Sequence, residues 1–259
     1  MQQTNLATRL YRISHIFVHT IVGLTIAAFL LPFIKKSTTL RLIKWWCGGL
    51  LRAFNIKVIT YGNVPTTNTQ GVMFVANHIS WSDIHALNSL IPLRFIAKSD
   101  IKDWPVFGYL VQKANTLFIE RNKKQEAGRI VKITAESLNA GDNLCFFPEG
   151  TTTDGTGTNS SGSRGPLVLA FKGSVLQAAI NANAQVWPVA IRYIKADGSI
   201  NTNMAYAGET SLIESMQQVL MQKYPVVELH FLKPISTHGQ NRRDLTQAAY
   251  NAILNCLSS

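Results

Sequence analysis

Gly71-Val-Met-Phe-Val-Ala-Asn77-His78-Ile-Ser-Trp-Ser-Asp83 is the stretch that decides how this chain is read. Its apolar run Val72–Ala76 does not alternate with polar residues, as expected of a strand covered on both faces in a parallel sheet. The run ends abruptly at Asn77 and His78. Ligands of open α/β sheets bind beyond the carboxyl ends of strands, and His78 stands at such an end. About seventy residues on, Phe146-Phe147-Pro148-Glu149-Gly150-Thr151 repeats the pattern of an apolar run broken by a sharp turn.

Working outward, short apolar runs alternate with segments of helical period. Strands are expected at 57–61, 72–76, 94–97, 117–120, 144–147, 186–193 and 226–231. Helices are expected near 82–91, 105–113, 124–140, 166–182, 211–222 and 241–256. Alternating strand and helix predicts an α/β fold with a mostly parallel, helix-covered sheet over residues 56–259. Residues 152–165, rich in Gly, Ser and Thr, read as a loop beside the Glu149 turn, suited to a lid. No internal repeat is present.

Residues 1–55 form a separate N-terminal segment. Ile16–Ile34 is almost continuously apolar, and its 19 residues would cover about 28 Å as a helix, close to the bilayer's hydrocarbon thickness. The first 82 residues hold eight Lys/Arg and no Asp or Glu, within a chain of net charge +11. Basic residues bracketing apolar sequence suit anionic head groups, and nucleic acid is not an expected partner. A second helix over 40–54 would carry Trp45 and Trp46 to the interface, with Arg41, Lys44 and Arg52 reaching head groups. Both a single span and a hairpin lying in one leaflet fit. Lys35, Lys36, Arg41 and Lys44 follow the apolar run, against Arg9 and Arg12 before it, which puts the chain's body on the cytoplasmic face of the cell membrane. A buried core helix and a cleaved signal peptide are the less favoured readings. Cys47, Cys145 and Cys256 are odd in number and far apart, with neither zinc spacing nor a disulfide framework, so no metal is expected.

Imidazole plus carboxylate is the minimum apparatus for taking a proton from a hydroxyl near neutral pH. On a regular helix residues five apart diverge by about 140°, so His78 and Asp83 meet only if His78 lies in the turn and Ser80 or Ser82 caps the following helix. Asp83 would then fix the imidazole tautomer and free the other ring nitrogen as a base. A His-x4-Asp pair alone reads equally as a structural histidine. Glu149 could orient a substrate hydroxyl, pair with the region of His78, or sit exposed on a β-turn. Lys98 and Arg121, each just past a strand, offer cations to a phosphate.

Together and in order, Asn77-His78-x4-Asp83, Leu117-Phe118-Ile119-Glu120-Arg121, Phe147-Pro148-Glu149-Gly150-Thr151 and Val186-Trp187-Pro188-Val189 resemble the four motifs of the glycerolipid acyltransferase family. The resemblance covers about residues 70–195. It implies a membrane-bound O-acyltransferase that takes an acyl group from acyl carrier protein or coenzyme A and gives it to a lysolipid hydroxyl. Those thioesters are co-substrates, and no cofactor is implied. By position His78 is the base and Asp83 its orienter. Arg121, Glu149 and Gly150 hold the acceptor's head group, Thr151 and Lys98 join the substrate-binding set, and Val186–Val189 shapes the pocket.

The implied reaction is lysophosphatidic acid to phosphatidic acid. Two departures bear on the acceptor: Thr152 stands where the third motif often has Arg, and Asn115 where the second often has Gly. With the run from Val189 to Tyr193, they make the lyso-ornithine lipid branch the alternative. A hydrolase using the same dyad on water and a non-catalytic lipid-binding protein are the readings from other classes.

Overall fold

The structure, a computed structural model, describes residues 3–66, 68–120, 124–157 and 165–259. All seven expected strands form: β1 (Lys57–Gly62), β2 (Met73–Ala76), β3 (Arg94–Lys98), β4 (Leu117–Ile119), β5 (Leu144–Phe146), β6 (Val186–Ile194) and β7 (Val226–Phe231). They make one sheet in the order β1-β7-β6-β2-β5-β3-β4. Every pairing is parallel except β6 with β7. Among the described residues the α-helices are α1 (Leu6–Thr25), α2 (Lys36–Phe54), α3 (Ser82–Leu90), α4 (Phe107–Lys113), α5 (Lys124–Asn139), α6 (Leu176–Asn181), α7 (Leu212–Met221) and α8 (Arg242–Ser258).

Both sheet faces are covered. Phe74 and Ala76 of β2 pack toward α2, α3 and α7 with Leu50, Phe54, Leu87 and Val219. Met73 and Val75 pack the other way, toward α5, α6 and α8 with Ile130, Leu176 and Leu245. All four β2 side chains are inaccessible to solvent, which is why its sequence does not alternate. α2 belongs to this core: Leu50, Leu51 and Phe54 of its last turns are buried.

The helix expected over 166–182 is much shorter. Only Gly173–Val175, in 3-10 form, and α6 are helical. The preceding backbone is diverted to the turn at residue 149, with Leu169 N–H bonded to the Glu149 carboxylate and Lys172 N–H to the Pro148 carbonyl. These tertiary bonds displace the helical ladder that the apolar pattern alone would have favoured.

The N-terminal segment is a helical hairpin. α1 starts ten residues before the apolar run, capped by Asn5, whose side chain accepts from Thr8 N–H. It continues through a π turn at Ile26–Leu30 and a 3-10 turn at Leu31–Phe33, ending where Pro32 removes a backbone donor. Two expectations about its charges are corrected. Arg12 is buried and caps α7, donating to the carbonyls of Leu220, Gln222 and Lys223 at 3.3, 2.7 and 3.2 Å. Lys44 Nζ donates to the Leu90 carbonyl, the last of α3, at 2.7 Å.

Trp46 is likewise not interfacial. Its indole stacks on His19 at 5.6 Å and donates to the His19 carbonyl, while His19 Nε2 bonds the Trp46 carbonyl at 2.8 Å. Gly23 and Gly49 admit these rings. A Cβ at Gly23 would fall inside the Trp46 indole, and one at Gly49 inside the His19 imidazole. Outward, α1 exposes Leu6, Leu10, Tyr11 and Phe17, followed by Phe29 and Phe33.

Helix interlocking of this kind predicts that Gly49→Ala, by displacing His19, destabilises the fold by about 1–3 kcal/mol. A urea titration followed by circular dichroism measures it; an unchanged midpoint would show that the rings are not confined.

Candidate active site

β2 ends at Ala76, level with Val189 of β6. Asn77 extends this pairing with its side chain: Oδ1 accepts Ile191 N–H at 2.7 Å and Nδ2 donates to the Ile191 carbonyl at 2.9 Å. The amide stands in for a peptide unit, and the main chain is free to turn at His78.

Each polar group of His78 but one is then held. Its N–H donates to Glu149 Oε1 at 2.7 Å, and its carbonyl accepts Thr153 N–H at 2.9 Å. The ring stacks on Phe147 at 3.8 Å between centroids, 7° from parallel. Nδ1 lies 2.8 Å from Asp83 Oδ2. A carboxylate oxygen there accepts, so Nδ1 carries the proton and Nε2 a lone pair. His78 borders the cavity described below, and Nε2 has no partner among the described residues.

Asp83 is the second residue of α3 and fully buried. Oδ2 also accepts the N–H groups of Ile79 and Ser80 at 2.8 and 3.0 Å, and Oδ1 accepts the Tyr193 hydroxyl at 2.5 Å. Four donors and a helix N-terminus offset the cost of burying this group. Neither expected serine is the N-cap. Trp81 holds that position with no side-chain cap, while Ser80 Oγ accepts Ser82 N–H at 3.3 Å.

Tyr193, which the sequence did not single out, is buried on β6 with its hydroxyl also 2.8 Å from Ser82 Oγ. Burial and the neighbouring Asp83 charge raise its pKa well above 10, so it remains a donor. Its one visible signal is a polar-tipped aromatic in the apolar register of Val189 and Ile191.

Glu149 is not on an exposed turn. It is 2% exposed, with Oε2 accepting Leu169 N–H at 2.8 Å. Both oxygens therefore bind main-chain amides, the arrangement that pairs it with the region of His78. Burial pushes its pKa from 4.5 up to about 7, the Asp83 charge adding to this and the two amides opposing it. Gly150 adopts φ +76°, which its lack of a side chain permits.

A cavity of about 550 Å³ opens beside His78 and runs to the hairpin. Gly150, Thr151 and Thr152 border it, with Lys113 and the exposed Lys98 also on its wall. Apolar side chains of α2, α3 and α4 line much of the rest, with Gly23, Ile26 and Ala27 from the first helical segment. Thr152 Oγ1 donates to the Tyr206 carbonyl. The Val186–Val189 block, expected to shape the pocket, contributes no lining residue. It forms the first half of β6, with Trp187 stacked on Phe74. Asn115 adopts φ +58°, which Asn tolerates better than most side chains and which explains its presence where Gly is common. Arg121 lies outside the described residues, as do residues 158–164 of the 152–165 loop.

Among the described residues no three His, Cys, Asp or Glu converge as a metal site would require. The site is thus an imidazole held by a buried carboxylate at the wall of a largely apolar cavity, beyond the carboxyl end of a parallel strand in an α/β fold. The Acyltransferase family matches residues 55–192, and the chain belongs to that family. It is 35% identical to the lyso-ornithine lipid O-acyltransferase of Pseudomonas aeruginosa over 82% of this chain and 77% of that one. The 1-acyl-sn-glycerol-3-phosphate acyltransferase of Neisseria meningitidis serogroup B is also 35% identical, over 71% of this chain and 68% of its own. The crystal structure of the 1-acyl-sn-glycerophosphate acyltransferase PlsC from Thermotoga maritima shares the fold, with a TM-score of 0.70 at 19% identity over 98% and 95% of the two chains. The family and fold expected from the motifs are those found.

Because the folded-state pKa of Glu149 is raised, the group favours the fold most below about pH 4.5 and loses that contribution as pH rises through about 7. Urea titrations of wild type and Glu149→Gln across this window should show the wild type losing stability relative to the variant as pH rises. A constant difference would place the Glu149 pKa at its ordinary value.

Proposed function

We propose that this acyltransferase moves a fatty acyl group from a thioester of acyl carrier protein or coenzyme A to the free hydroxyl of a lysolipid. The observation that carries this reading is the placement of His78 Nε2, lone pair outward, on the wall of the apolar cavity. The acyl chain occupies the cavity, and the lysolipid hydroxyl approaches Nε2. His78 takes its proton as the hydroxyl oxygen bonds to the thioester carbon. The tetrahedral intermediate then collapses, the C–S bond breaks, and the thiolate takes the proton back from Nε2. No acyl-enzyme and no metal take part. Asp83 holds the tautomer and stabilises the transient imidazolium. Glu149 and Tyr193 are positioning residues, one for the His78 main chain and one for Asp83.

Lysophosphatidic acid is the acceptor that suits Lys98 and Lys113 on the cavity wall, with Gly150 and Thr151 bordering its head group. A specific observation keeps lyso-ornithine lipid as the second reading: Thr152 replaces a phosphate-binding Arg, and its hydroxyl is turned to the Tyr206 carbonyl. The two readings share one reaction.

The hairpin attaches the enzyme to the cytoplasmic face of the cell membrane. Leu6–Phe33 is long and apolar enough to cross a bilayer. Yet both arms of the hairpin are tied to the catalytic body, the first by Thr4 and Arg12 at the end of α7 and the second by Lys44 at the end of α3. This favours a hairpin lying in one leaflet, with Phe17, Phe29 and Phe33 in the hydrocarbon and Lys35 among head groups.

The test is transfer of labelled acyl groups to lysophosphatidic acid, lyso-ornithine lipid and other lysolipids by membrane-bound protein. Wild type should label one acceptor. His78→Ala should lose at least about 1,000-fold in kcat with the fold intact, and Asp83→Asn a comparable factor. Near-normal turnover by His78→Ala would end the base assignment. Thioester hydrolysis indifferent to lysolipid would point to a hydrolase instead.

A further inference from the structure

The cavity carries two polar groups that acyl transfer does not use. His85 and Asn88 stand three residues apart on α3, hence on one face of it, and both line the cavity. His85 Nδ1 lies 3.2 Å from the Trp81 carbonyl, which can only accept, so Nδ1 carries the proton. Burial pushes the imidazole pKa down to about 4, against the raising effects of that carbonyl and of Asp83, and the ring is neutral near pH 7. Nε2 is therefore an acceptor. No donor meets it among the described residues, and it is not sealed in protein but open to the cavity.

Asn88 is the complement. Its Oδ1 accepts Leu93 N–H at 2.7 Å, which fixes the amide and leaves Nδ2 as the outward donor. Nδ2 likewise has no acceptor among the described residues and is not sealed off. The surroundings are apolar: the Trp46 and Trp81 rings lie 5.8 and 5.7 Å from the His85 ring, and Ile84 shares the wall.

One acceptor and one donor a helical turn apart match a hydroxyl, which gives one hydrogen and receives another. We propose that His85 and Asn88 form a hydroxyl subsite, selecting a lipid chain that carries a second, non-reacting hydroxyl partway along its length. That hydroxyl donates to His85 Nε2 and accepts from Asn88 Nδ2. An unsubstituted chain displaces water from both groups without replacing its hydrogen bonds, and so binds more weakly. The proposal rests on the reading of the cavity as an acyl channel.

The experiment uses the full chain and acyl thioesters of one length, unsubstituted or bearing a hydroxyl at successive positions. Alongside turnover, binding of the corresponding free fatty acids is followed by tryptophan fluorescence, since Trp46 and Trp81 flank His85. One hydroxyl position should be favoured about tenfold or more over the plain chain in kcat/KM and in affinity. In His85→Phe the ratio should collapse toward one. A wild type with no positional preference, needing no variant, would overturn the subsite and leave water as its occupant; so would a preference that persists in His85→Phe. Absence of transfer from every thioester would count against the proposed function, while the fatty-acid affinities would still decide the subsite.

Discussion

A carboxylate without contact with solvent must collect its hydrogen bonds from the protein, and Asp83 collects them from two separate places in the chain. Two come from the amides of Ile79 and Ser80, one from the His78 ring and one from Tyr193, 110 residues away on β6. Satisfying Asp83 forces the chain after β2 to turn back over the start of α3. That turn is what brings a base and its orienter together across a spacing that a regular helix would splay apart. The catalytic geometry proposed for this enzyme is thus a by-product of paying for one buried charge.

Glu149 repeats the logic from the opposite side. It lies beyond β5, which pairs directly with β2, so its turn faces the His78 turn across one strand spacing. Its two oxygens join the His78 and Leu169 amides and thereby tie three loops into one unit. One carboxylate holds the ring and the other holds the main chain. The Phe147 face confines what rotation remains. Such over-determination suits the role proposed for His78, a base meeting a hydroxyl on a large, mobile lipid, since the protein's half of the encounter is already ordered.

Much of this was legible in the sequence because it is local. Each strand is a short apolar run stopped by a turn, and β2 lacked alternation because helices cover both its faces. The His78–Asp83 contact was readable once the turn was placed. The direction of β7 was not, because antiparallel pairing with β6 depends on how α7 returns the chain. The shortened α6 was misread for a similar reason: Glu149 and Pro148 claim amides that a helix would have used. Tyr193 escaped, and the choice among the three readings of Glu149 stayed open, because each is defined by a partner more than 70 residues distant or by burial, neither of which leaves a local periodicity. Charges misled as well. Arg12 and Lys44 look like head-group contacts in sequence, but they spend themselves on the carbonyl ends of α7 and α3.

Those two caps explain how an apolar hairpin can also be a wall of the cavity beside His78. A helix that only anchored would need no register with the catalytic body. Here the hairpin's rings sit on its glycines, Trp46 then reaches His85, and His85 borders the cavity that ends at His78. Disturbing the hairpin must therefore alter the cavity as well as the proposed attachment. In the proposed enzyme, the same packing that seats the protein on its bilayer shapes the space into which the bilayer's own acyl chains are received.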